Sequence, residues 1–132
     1  MDSWDGEAWV EARLASDDTL VTLGVAARVF RYLAPPAVAM PFIVLAMQPN
    51  GTDTKGVGIA RILSDLRFTV RVTGSINDED ALIAIAKRFD PALEVRESNG
   101  VGCVRVQPLS YVTQESGQVL RHFGGIYRVV GA

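Results

Sequence analysis

From Leu66 to Thr73 apolar and polar residues alternate without a break. Leu66, Phe68, Val70 and Val72 share one face, and Arg67, Thr69, Arg71 and Thr73 share the other. A period of two predicts a strand with one face on a core and the other turned to water or to a partner. A second signal is the continuous apolar run Phe42-Ile43-Val44-Leu45-Ala46-Met47 behind Pro41. It predicts a strand covered on both faces, ended by Pro49-Asn50-Gly51, a strong turn sequence. The stretch Gly51 to Gly58 is rich in glycine and predicts a mobile connection.

The helical period appears twice. Near the start, Trp9, Val10, Arg13 and Leu14 form an amphipathic pattern over Gly6 to Leu14, with Glu7 and Glu11 outside. Ser16-Asp17-Asp18 then offers capping side chains to a short helix over Thr19 to Leu23, which Gly24 stops. The second amphipathic segment is Asp78 to Phe89, with Leu82, Ile85, Ala86 and Phe89 on its buried stripe. Asn77 or Asp78 is its expected cap. Asp78, Glu79 and Asp80 sit at its positive dipole end, Lys87 and Arg88 at its negative end, and Asp90-Pro91 ends it.

The remaining segments read as strands and turns. Arg28 to Tyr32 is a short strand, and Ala34-Pro35-Pro36-Ala37 a loop, because paired prolines suit neither helices nor central strands. Leu93 to Glu97 is a strand turned by Ser98-Asn99-Gly100, and Gly102 to Val106 returns with Val104 and Val106 on one face. Pro108 is expected to interrupt pairing or to mark an edge. Glu115-Ser116-Gly117-Gln118 reads as a hairpin turn, followed by a last strand to Val130 with a bulge or bend at Gly124-Gly125. This order predicts an α+β fold: one domain over residues 1–132 with a mostly antiparallel β-sheet and helices packed on one face.

Composition narrows the function. With 132 residues, 48% hydrophobic and 21% charged, the chain resembles an ordinary globular domain that buries a core without staples. Thirteen basic against fifteen acidic residues leave a net charge of −2, which excludes nucleic-acid binding driven by overall charge. The acidic start, Met1 to Glu7, is unlike a signal peptide, and the apolar stretch Ala34 to Met47 is short and broken by prolines. The expectation is a soluble protein made in a cytoplasm, with no membrane contact.

Candidate chemistry is sparse. Cys103 is the single cysteine and His122 the single histidine, too little for a disulfide or a Cys/His metal site. His122 has no nucleophile in a recognisable motif, so a structural or exposed role is expected. Cys103 lies in a predicted strand, where buried inert thiols are common. The Asp78-Glu79-Asp80 cluster is explained by the helix dipole. Neither a P-loop nor a dinucleotide glycine pattern is present. No catalytic residue, cofactor or metal is therefore assigned. The residues read as an interaction or scaffold protein rather than an enzyme, with the Arg67/Arg71 stripe either solvated or a contact face. Of Trp4 and Trp9, one is expected in the core and the other is free to anchor an interface.

The whole order resembles the tail-completion proteins of tailed bacteriophages, the family that includes the tail terminators of long tails. The resemblance rests on Ser16-Asp17-Asp18-Thr19-Leu20, Leu23-Gly24, Arg28-Val29-Phe30, the Ala34-Pro35-Pro36 loop and Met40-Pro41-Phe42-Ile43-Val44-Leu45, which is similar to the family's proline-led strand. The alternating strand, the helix from Asp78 and the closing Gly125-Ile126-Tyr127-Arg128-Val129-Val130 follow in the same order. At Leu45 and Ala46 the chain departs from the tyrosine or polar residue common in that family.

The resemblance implies a structural protein of the virion neck, assembled in the host bacterial cytoplasm. Such a protein closes into a ring, usually of six copies, at the head-proximal end of the tail tube. It stops tube polymerisation and meets the head–tail connector or stopper protein, and DNA passes through its lumen without sequence-specific binding. Arg67, Arg71, Asp78 and Glu79 are then candidate subunit-interface residues. Thr52, Asp53, Thr54, Lys55 and Val57 form a candidate loop for contact with the tube or connector. Alternatives remain another neck component, such as a stopper or adaptor, and a small α+β binding domain unrelated to phage.

Overall fold

The structure, a computed structural model, describes residues 3–49, 51–55, 62–98 and 100–131. Val57 lies outside the described residues, as does the side chain of Trp4. Helices α1 (Ser3–Ala15) and α2 (Asp18–Thr22) lead into strands β1 (Val29–Arg31), β2 (Phe42–Met47), β3 (Thr52–Lys55) and β4 (Ile62–Ser75). A 3-10 turn (Ile76–Asp78) opens helices α3 (Glu79–Lys87) and α4 (Phe89–Leu93), and strands β5 (Val95–Ser98), β6 (Val101–Glu115) and β7 (Gln118–Gly131) close the chain. The strands form one sheet in the order β1-β2-β4-β7-β6-β5, with β3 beside the first half of β4. All neighbours are antiparallel except β1 and β2.

The alternation in β4 sets the two faces of the sheet. Leu66, Phe68, Val70 and Val72 are fully buried beneath the helices, where they join Val10 and Leu14 of α1, Leu82 of α3 and Phe89 of α4. The β4–β7 register places Tyr127 and Val129 on the same face, opposite Phe68 and Leu66. Each such side chain contributes about 1.5–3 kcal/mol by leaving water. The fold is thus α+β, with a mostly antiparallel sheet and its helices on one face.

Polar side chains fasten the helices. Asp17 Oδ2 accepts from the Leu20 backbone amide, capping α2, and Arg88 donates to both Asp17 carboxylate oxygens at 2.9 and 3.0 Å. The Arg88 guanidinium holds the Asp17 carboxyl below the usual carboxylate range. Gly24, at a φ of 80°, ends this segment in the left-handed region that glycine adopts without cost.

Several expectations are corrected. Residues Thr52, Asp53, Thr54 and Lys55 are not a loop: they form β3, paired with Ile62 to Asp65 of β4. Neither Asn77 nor Asp78 caps the central helix through its side chain; Ser75 Oγ accepts from the Asn77 amide instead. Asp90-Pro91 does not end the helical stretch but lies in the first turn of α4, where proline's missing N–H is no loss. Leu93 therefore belongs to α4, and β5 begins at Val95.

The chain from Val101 to Glu115 is one continuous strand containing Pro108. β5 pairs only with its first residues, so beyond them β6 is an edge strand that tolerates proline. The register shift lies between Arg105 and Gln107 of β6, not at Gly124-Gly125. Gly124 is needed for close approach: a Cβ there would lie 1.9 Å from the Val70 carbonyl oxygen. The β6–β7 turn is as expected, with Ser116 and Gly117 at φ of 49° and 77°, the left-handed pair of a tight hairpin.

Candidate functional site

Opposite the helices, the second face of the sheet carries Arg67, Thr69, Arg71 and Thr73 of β4, with Val44 of β2 opposite Arg71 and His122 of β7 opposite Thr73. The proline-rich segment 33–40 and the β6–β7 turn rise beside this face and bound a groove of about 450 Å³. Apolar lining comes from Pro35, Pro36, Met40, Phe42 and Val44, and polar lining from Arg71, Thr73, His122 and Glu115. Val44 is only 1% exposed although the pleat turns it away from the helices, so β2 is covered on both faces as its composition predicts.

His122 is buried and spends both ring nitrogens on hydroxyls. Thr73 Oγ1 lies 2.8 Å from Nδ1 and Thr113 Oγ1 2.7 Å from Nε2. In the neutral imidazole one nitrogen donates and the other accepts, and a hydroxyl can answer either. Tyr111 stacks on the ring, with centroids 4.4 Å apart. Burial lowers the His122 pKa from its ordinary value, and the charge of Arg71 adds to this. The histidine is therefore a neutral strut that fixes β4, β7 and β6 side by side, the structural role expected of it.

Arg71 behaves differently. It is half-buried in the groove floor, and its Nε is buried without a hydrogen-bond partner. Among the described residues its guanidinium makes no ion pair, whereas Arg31, Arg88, Arg105, Arg121 and Arg128 each do. In the groove this cation stands with a neutral imidazole, apolar walls and Glu115, with which it forms no ion pair.

Arg67 lies further along the same face, exposed and opposite Arg128, which donates to both oxygens of Asp65 at 3.0 and 2.7 Å. Glu79 lies on the other side of the sheet and accepts from Arg121 Nε at 2.8 Å. Arg121 also reaches Ser110 Oγ and stands 4.2 Å over the Phe123 ring. Asp78 and Asp80 beside Glu79 are exposed. Within one subunit, then, the stripe and the acidic helix start do not meet. In β3, Asp53 Oδ1 accepts from Ser64 Oγ at 2.6 Å, and Thr52, Asp53 and Thr54 are exposed.

Cys103 is buried, and burial pushes its thiol up to about 12, which makes it unreactive as a nucleophile. Tyr127 donates to Asp90 Oδ1 at 2.5 Å, and its hydroxyl is pushed upward by burial and by that bond. Among the described residues no three of His, Cys, Asp and Glu converge. No described helix is long and apolar enough to cross a membrane.

The alternation in β4 placed Arg71 and Thr73 together, but not His122 or Thr113 with them. That meeting depends on the β4–β7 and β6–β7 registers, which no local pattern carries. Pro35-Pro36 signals a loop in the sequence, and only the sheet beside it makes that loop a wall of the groove.

No family model matches the sequence, and no curated protein matches it. Among solved structures, a chain of the virion of a native gene transfer agent (GTA) particle is similar, with a TM-score of 0.65 and 18% identity over 93% of this chain and 92% of that one. At that identity the match establishes a shared fold from end to end. Another solved chain, at 17% identity and a TM-score of 0.47, covers 92% of this chain and 85% of its own length, too loose a match to argue from.

Proposed function

We propose that this chain is a structural protein of a phage-type virion, a tail terminator that closes into a ring of six copies at the head-proximal end of a tail tube. The observation that carries this reading is the end-to-end match with a chain of a gene transfer agent virion. The order of the sequence elements, similar to that of tail-completion proteins, points the same way.

In this reading residues 1–132 are one tail-terminator-like domain whose surfaces do the work. One surface meets the next copy, and rotation between copies closes the ring. The ring ends tube growth, meets the tail tube protein on one side and the head connector or stopper on the other, and lets DNA pass without reading its sequence. Arg67, Arg71, Asp78 and Glu79 are the proposed seam residues, Glu79 by bracing the turn that carries Asp78 through its pair with Arg121, and Thr52 to Lys55 with Val57 the proposed contact with tube or connector. The protein works in the neck of the particle, after assembly in the bacterial cytoplasm, and performs no catalysis.

Tails assembled without this chain test the proposal. Loss of length control and failure to join heads is the expected result. Tails of normal length that join heads in its absence overturn it.

A further inference from the structure

Arg71, whose buried Nε has no hydrogen-bond partner among the described residues, and the exposed Asp78 and Asp80 lie towards the same end of β4. Arg71 and Thr73 lie in the last third of β4, on the face away from the helices. Ser75 ends that strand, and the chain passes through Ile76 to Asp78 into α3, which packs against β4 and β7 on the helical face. The Glu79–Arg121 pair fixes the side on which α3 starts, because Arg121 shares its pleat face with Phe123, which packs against the buried core. Groove and acidic turn are thus at the same end of the strands, the groove on the open face and the start of α3 on the helical face, with Ile76 and Asn77 between them beside Met40, Gln118 and Leu120 of the groove's rim.

We infer that the Arg71 groove receives the Ile76–Asp80 turn of a second copy of this chain. The inference rests on the ring reading and names its seam. Groove and turn are two different surfaces, as a head-to-tail contact requires: each copy offers its turn to one neighbour and its groove to the other, and a constant rotation closes the ring.

The chemistry of the two surfaces is complementary. Among the described residues Arg71 brings a buried N–H without an acceptor, and Asp78 and Asp80 bring carboxylates that no ion pair occupies. Ile76 is 39% exposed beside them, an apolar side chain suited to Met40, also 39% exposed, and Phe42 in the groove wall. Glu79 is left to its own Arg121, so the turn arrives already braced. A charge pair desolvated in this way sets register and partner, and its loss raises the rate of dissociation.

The test is a charge exchange in assembled tails, with copies of the chain per tail counted by quantitative mass spectrometry. Arg71→Asp alone, or Asp78→Arg with Asp80→Arg alone, places like charges at every seam. Each is expected to lower the copies per tail at least about tenfold. Production of both variants in one cell allows alternating copies, in which every seam again joins a cation to a carboxylate, and is expected to restore near-normal counts. Arg71→Leu, which fills the site without a charge, guards against misfolding of the reversed variants and is also expected to lower the count.

Normal rings from Arg71→Asp or Arg71→Leu overturn the seam while leaving the ring itself intact. Failure of the mixture to restore counts does the same, as does a loss of head joining with rings unchanged, which would give the groove to the connector. Wild-type tails that hold no ring overturn the proposed function and the seam together.

Discussion

Thr73 and His122 stand directly opposite each other on β4 and β7, with Thr73 Oγ1 2.8 Å from His122 Nδ1. Because burial lowers the His122 pKa from its ordinary 6.5, the folded protein binds a proton there less readily than the unfolded chain. The stability from keeping this ring neutral is therefore fully present above about pH 6.5 and is lost as pH falls below it towards the lower folded value. Urea unfolding between pH 7.5 and 5 is expected to show a steeper loss of stability for the wild type than for His122→Gln. Parallel slopes for the two proteins contradict the placement of a neutral histidine here.

Gly124 permits β4 and β7 to approach at the centre of the sheet. With a Cβ 1.9 Å from the Val70 oxygen, Gly124→Ala must push two central strands apart. A loss of about 3 kcal/mol or more is expected in denaturant unfolding, at or beyond the usual upper end for overpacking. A substitution at Gly117, whose added Cβ meets nothing within 4 Å, gives the contrast: its cost comes from backbone strain at a φ of 77° alone.

Asp17 joins a helix cap to an ion pair that spans the chain from residue 17 to residue 88. Asp17→Ala is expected to cost about 1–2 kcal/mol, from the lost cap and the freed Arg88. Asp17→Asn retains an acceptor for the Leu20 amide and is expected to cost less. The Asp17 carboxyl is held below its ordinary value of 3.8, first by the Arg88 hydrogen bond, so its contribution is present above that pH and disappears as pH falls through the lowered value. Acid unfolding compared between wild type and Asp17→Asn checks the sign.

β3 is paired only to β4 and adds no residue to the buried core cluster. Replacing Thr52, Asp53, Thr54 and Lys55 with Gly and Ser is expected to leave a cooperative thermal transition. If this hairpin contacts the tube or the connector, the same variant will give tails that fail to join heads. Full infectivity from it removes β3 from any contact surface.

What the sequence displayed and what it hid divide along a physical line. The core face of β4, the two-sided burial of β2, the Asp17 cap and the Ser116-Gly117 turn depend on neighbours in the chain, and each was visible in the pattern. Strand β3 was hidden because glycines around Thr52 to Lys55 imitate a loop, and only pairing with Ile62 to Asp65 makes the segment a strand. Paired glycines signal a bulge, which puts the expected shift at Gly124-Gly125 rather than at Arg105; here Gly124 serves close packing against Val70 and Gly125 lies against Arg105. The groove escaped altogether. It joins residues from β2, β4, β7 and the proline segment, and Arg71 alone gave no sign that its Nε would be buried without a partner.

The ring reading is tested most directly by imaging the neck of particles that contain this chain and fitting the fold into the density. A closed ring of six copies at the head-proximal end of the tail tube, coaxial with the DNA channel, is the expected result. A single copy per particle, or density for this chain anywhere other than between tube and connector, contradicts it.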